Sequence, residues 1–141
     1  MELLKENLDL GLVVVLGFMS FLCTALVIER YFYLARVDLM AFDHPEDLEI
    51  ELTRHLTVIA TVGANAPYVG LLGTVLGILI TFYDIGRGGT IDTAAIMVGL
   101  SLALKATAWG LVVAIPSIIF YNALLRRVDV LKARWRRARG D

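Results

Sequence analysis

The chain has 141 residues, 58% of them hydrophobic and only 19% charged, with a mean hydropathy of +0.74. A typical soluble domain carries about 25% charge. Here residues 10–28, 56–83 and 93–125 together hold a single charged side chain, Lys105. A chain this short cannot bury three such runs in water, so a soluble globular enzyme is excluded. High hydrophobicity excludes a disordered chain as well.

What remains is an all-α integral membrane protein, one domain over residues 1–141 with three transmembrane helices at about 8–28, 58–83 and 93–120. Roughly 20 apolar residues cross the hydrocarbon core as a helix. The runs are continuous, without the alternation of a membrane β-barrel. The first could be mistaken for a signal peptide. Its leading stretch Met1-Glu2-Leu3-Leu4-Lys5-Glu6 is acidic on balance and its apolar run is too long, so it reads as a retained helix. The second and third runs exceed the bilayer and are expected to tilt or to continue into the cytoplasm.

Lysine and arginine set the orientation. Residues 1–9 have only Lys5 and the loop 84–92 only Arg87. Segment 29–55 has Arg30, Arg36 and Arg54, and the tail 126–141 has seven basic residues. The N-terminus is therefore expected outside, with 29–55 a cytoplasmic segment and 126–141 a basic cytoplasmic tail. Segment 29–55 also carries seven carboxylates, from Glu29 to Glu51. Two readings stand: the acidic segment pairs with the basic tail, or the tail sits on anionic membrane lipid. Asp43, Pro45 and Glu46 mark a helix start, predicted near His44 and running unbroken to Gly63. Gly86-Arg87-Gly88-Gly89 predicts a tight outside turn, and Asp92 a cap on the third helix.

Helices associate in lipid through small residues and hydroxyls. The second span carries them on one stripe: Gly63, Pro67, Gly70, Thr74, Gly77 and Thr81. The third has Ala103, Thr107, Gly110, Ala114, Ser117 and Tyr121. The stripes either pack on each other within a hairpin or line a space shared by several subunits, with Thr74 and Thr107 as hydroxyl donors. Three spans make a poor pore alone, so a homo-oligomer is expected. Pro67 and Pro116 free the carbonyls of Gly63 and Val112, as tolerated kinks or as points of flexure. Lys105, near mid-span, costs roughly 2.5–3.5 kcal/mol to insert and reads as an interface or functional charge. It lies on the side opposite Thr107, and no acid shares its span.

Cys23 is the lone cysteine, His44 and His55 lack metal-ligand spacing, and no phosphate loop or nucleophile elbow is present. No enzyme, cofactor, metal or nucleic-acid partner is expected, and ATP is excluded as the energy source.

The stretch from Thr61 to Ile78, with Ala66-Pro67-Tyr68-Val69-Gly70-Leu71-Leu72-Gly73-Thr74-Val75-Leu76-Gly77-Ile78 at its centre, resembles the APxxGLxGTVxGI signature of the MotA/TolQ/ExbB proton-channel family. Gly99 to Pro116, followed by Tyr121-Asn122, resembles its GIxxALxATAxGLxxAIP segment, and Glu29-Arg30 after the first span also fits. The resemblance covers about a third of the chain and is strongest to short members of the ExbB branch. It implies a homopentamer in the bacterial inner membrane, N-terminus periplasmic and C-terminus cytoplasmic, around transmembrane helices of ExbD. Proton entry would titrate an aspartate on ExbD, and motion would pass to TonB to power outer-membrane uptake. Thr74 and Thr107 match the family's threonines facing that aspartate, with Gly70, Gly77 and Gly110 beside them. Many members carry a glutamate where this chain has Leu102, so that carboxylate role does not transfer. The large cytoplasmic domain that longer relatives place between the first two spans is here reduced to residues 29–55. A TolQ-like role in envelope integrity, or a structural membrane scaffold without proton conduction, are the rival readings.

Overall fold

A computed structural model describes residues 2–140. Among them the chain is entirely helical: α1 (Glu2–Arg36), a short 3-10 turn at Leu39–Ala41, α2 (Pro45–Leu52), α3 (Leu56–Gly88) and α4 (Thr93–Ala138). The three long helices are each apolar and long enough to cross a membrane. At 1.5 Å per residue the 46 residues of α4 span about 69 Å, more than twice a ~30 Å hydrocarbon core. α4 is therefore far longer than one crossing requires.

α3 and α4 form a long antiparallel hairpin, and α1 lies against both. Gly89 closes α3 in the left-handed region (φ 71), where a glycine is at ease. The Asp92 carboxylate accepts the Ala94 backbone N–H at 3.0 Å, capping α4 as its position predicts. The expected glycine turn is absorbed mostly into α3, which continues to Gly88.

The helix expected to run unbroken from His44 to Gly63 is divided. α2 ends at Leu52, and His55 takes a left-handed conformation (φ 67) before α3 begins. Asp43 does not cap α2; His44 occupies that position without a side-chain bond, and Pro45 fills the first turn. Tertiary packing outweighs local propensity at this bend. It lets Leu48 and Leu52 of α2 and Leu56 and Ile59 of α3 reach one core with Leu34, Leu124, Val128, Leu131 and Trp135. The Thr53 hydroxyl donates to the Glu49 carbonyl at 2.7 Å, and the Thr53 N–H turns to the same oxygen at 3.0 Å.

This core joins the acidic segment to the basic end of α4. Lys132 pairs with Glu49 at 2.9 Å and Arg139 with Asp43 at 3.3 Å, while the Trp135 indole N–H donates to the Phe42 carbonyl at 3.1 Å. The pairing reading holds for these two cations. Arg126, Arg134, Arg136 and Arg137 are exposed and make no ion pair among the described residues.

Outside the seams the long helices are apolar to solvent: Leu10, Val13, Val14, Phe18 and Phe21 on α1 are more than 55% exposed, as are Leu104, Val112 and Ile119 on α4. A belt of this size on every face needs lipid or further protein around it.

Candidate functional site

The backbones of α3 and α4 approach closely where Gly70 meets Gly110. A Cβ at Gly70 would sit 2.7 Å from the Ala106 carbonyl oxygen, and one at Gly110 would sit 2.7 Å from that of Ala66. Gly77 faces Ala103 in the same seam, where a Cβ would come within 3.0 Å of its methyl group. Both small-residue stripes thus meet within one hairpin, with Gly63, Gly70, Thr74 and Thr81 buried against Ala103, Ala106, Gly110, Ala114 and Ser117.

One turn from the glycine crossing, the two predicted threonines are brought together. Thr74 is 7% exposed; its hydroxyl lies 2.9 Å from the Ala103 carbonyl and 3.3 Å from the Gly70 carbonyl of its own helix, and is hydrogen-bonded to the Thr107 hydroxyl. Thr107 is only half-buried. A hydroxyl has one proton and two acceptor sites. When Thr74 donates across the seam to Ala103, it can accept from Thr107, which keeps lone pairs toward the outside. The close approach permitted by Gly70 and Gly110 is what makes this cross-helix contact possible.

The remaining predicted residues fall elsewhere. Pro67 is half-buried on α3 and Pro116 is exposed on α4, and both helices run through them without interruption. Pro116 borders a cavity of about 960 Å³ between α1 and α4, floored by Cys23 and Ser117 and ending at Arg127. Lys105 is exposed and borders a separate groove of about 500 Å³ between the same helices, with Leu102 beside it. Among the described residues no group of histidine, cysteine, aspartate or glutamate side chains is arranged to hold a metal.

Residues 40–137 match the model of the MotA/TolQ/ExbB proton channel family. The chain belongs to this family. Its likeness to short relatives runs nearly end to end. It is 54% identical over 136 residues to the biopolymer transport protein ExbB of Helicobacter pylori, covering 96% of this chain and 94% of that one. Against the ExbB of Aquifex aeolicus the identity is again 54%, over 141 residues and 95% of that protein. The ExbB of Salmonella typhimurium is 45% identical over 75 residues, which is 53% of this chain but 31% of that one.

Two anchors of this family member escaped the reading of its sequence. Arg30 is 2% exposed; its guanidinium donates to both Glu29 carboxylate oxygens (2.6 and 2.9 Å) and to the Glu51 carbonyl at 2.8 Å. It also lies 4.3 Å from the centre of the Tyr33 ring. The cation thus holds the carbonyl end of α2, where the helix dipole favours positive charge. The Cys23 thiol donates to the Ser117 hydroxyl at 3.2 Å, and that hydroxyl donates to the Val113 carbonyl at 2.7 Å, tying α1 to α4. A polar residue facing another helix in lipid is the signal for such a bond, and Ser117 alone carried it.

Proposed function

We propose that this chain is the ExbB-type subunit of a proton-motive-force-driven energiser in the bacterial inner membrane, its N-terminus periplasmic and its basic tail cytoplasmic. Several copies, a homopentamer in this reading, surround the transmembrane helices of an ExbD partner and power TonB-dependent outer-membrane uptake. The observation that carries the proposal is the near end-to-end identity of 54% with proteins called ExbB.

The hydroxyl pair supplies a chemistry suited to that role. With its proton on Thr74, Thr107 offers lone pairs to a protonated partner carboxyl. With its proton turned outward, it donates to the ionised carboxylate. The pair can therefore meet a partner aspartate in both protonation states without ionising itself. Gly70, Gly77 and Gly110 hold the backbones close enough for the contact, and Pro67 and Pro116, each removing one backbone hydrogen bond from a continuous helix, are points of flexure in this reading.

Thr107→Val keeps the shape and removes the rotor. Energised uptake is expected to fall tenfold or more, with membrane content and subunit assembly unchanged; uptake equal to wild type would overturn the role. A pure scaffold predicts that valine is tolerated and that a protonophore leaves the partner's state unaltered.

A further inference from the structure

Lys105 is the one charged residue in the long uncharged stretch of α4, and among the described residues no carboxylate lies within 4.0 Å of it. It does not face the Thr74–Thr107 contact. It borders the groove of about 500 Å³ between α1 and α4, together with Leu12, Leu16, Ser20, Trp109 and a single acid, Asp9.

The register of the two helices brings Asp9 and Lys105 to nearly the same depth. Cys23 of α1 bonds Ser117 of α4, an offset of 94 residues. Leu12 and Ala106, separated by the same offset, converge on the position of Gly73. α1 and α4 therefore run parallel and in step, and Asp9 is level with Ala103. Lys105 sits two residues deeper, about 3 Å at 1.5 Å per residue. The flexible four-carbon stem of a lysine spans that easily, and such stems carry their charge toward the polar end of a membrane helix. The competing acids nearby are engaged: Asp84 with Lys5 at 3.2 Å, and Asp92 with the Ala94 N–H at 3.0 Å. Glu6, one turn further out on α1, does not border the groove.

We propose that Lys105 is neutralised within its own protomer by Asp9 across the α1–α4 groove, and that this couple is a positioning device holding the outer half of α1 against the hairpin. Elsewhere α1 is pinned by Lys5–Asp84 at its outer end and by Cys23–Ser117 and Arg30 toward its inner end. The groove is the stretch between these pins, and closing the ion pair shuts it. Lys105 is then not a group reserved for an acid on a partner.

The direct test applies a membrane-permeant carbodiimide to the wild-type chain in its membrane. The reagent activates the Asp9 carboxyl as an O-acylurea, and attack by the Lys105 amine expels the urea. An amide forms, with net loss of one water from the two side chains. Peptides joined through Asp9 and Lys105, found in the single-chain band of a denaturing gel, are the expected result. Lys5–Asp84 serves as the positive control. Joined peptides confined to a two-chain band, Lys105 joined to another acid, or no Lys105 product while the control reacts, would each overturn the proposal. As a second arm, Asp9→Asn and Lys105→Met should each lower the yield of folded chain severalfold, and the charge swap Asp9→Lys with Lys105→Asp in one chain should restore it. With the two swaps carried on separate co-expressed chains only pairs between protomers are complementary, so no rescue is expected there, and rescue would contradict the assignment.

Discussion

Replacing Gly110 by alanine is expected to cost most of the folded protein. The added carbon would lie 2.7 Å from the Ala66 carbonyl oxygen, 3.0 Å from the Gly70 Cα and 3.2 Å from its nitrogen. All three are backbone atoms of the opposing helix, so no side chain can swing aside and the hairpin must splay. Overpacking of a tight interior costs typically 1–3 kcal/mol, and this case belongs at the upper end. In lipid the loss is not offset by a hydrophobic drive to reassociate, because helix pairing there depends on close packing. Splaying also separates Thr74 from Thr107. Gly86→Ala is the control. A Cβ there meets nothing within 4 Å, and alanine in a helix interior gains about 0.5–1 kcal/mol over glycine. Thermal melting of the two purified variants should move in opposite directions. Equal melting temperatures would contradict the close approach at the glycine crossing.

Arg30→Leu is expected to release α2 from the membrane-proximal core. The substitution removes the donor to the Glu51 carbonyl and the bidentate partner of Glu29, and it strips a cation from the Tyr33 ring. Hydrogen bonds from charged donors contribute about 1.5–3 kcal/mol, so a total near 3 kcal/mol is expected, with the Glu51 carbonyl left to the long 3.4 Å bond from the Arg54 N–H. The Glu29 side chain is 45% exposed, so Glu29→Gln should cost much less. Arg30→Lys keeps the charge but not the fork, and should fall between them. Trypsin reports the outcome directly, because the exposed Arg54 lies in the bend between α2 and α3. Cleavage after Arg54 should accelerate strongly in Arg30→Leu, and an unchanged rate would contradict the anchoring role.

The separation of charge from apolar sequence was enough to read three helices, because lipid leaves a chain few alternatives. The stripes of small residues were equally readable and meet as one of their two readings predicts, since 3.6-residue periodicity survives in any straight helix. The bend at Thr53–His55 was not readable. It contains neither glycine nor proline, and its cause is distributed over Leu48, Leu52, Leu56 and Ile59, which reach the shared core only if the helix breaks. Arg30 carried a weak signal, as one half of an acid–base pair just after an apolar run. That its guanidinium would reach Glu51, 21 residues on, depends on the path of the intervening turn. Asp9 was hidden by arithmetic. It borders the uncharged run from outside, and only the helix register places it level with Ala103, two residues from Lys105.

In the proposed function this subunit is a sleeve that borrows its titrating acid. The most direct measurement is the native mass of the chain co-expressed with a single-span partner carrying a membrane aspartate. One complex should appear, with several copies of this chain around fewer copies of the partner, and Thr107→Val should leave its mass unchanged. The chain recovered without the partner, or in a one-to-one pair with it, would contradict the claim.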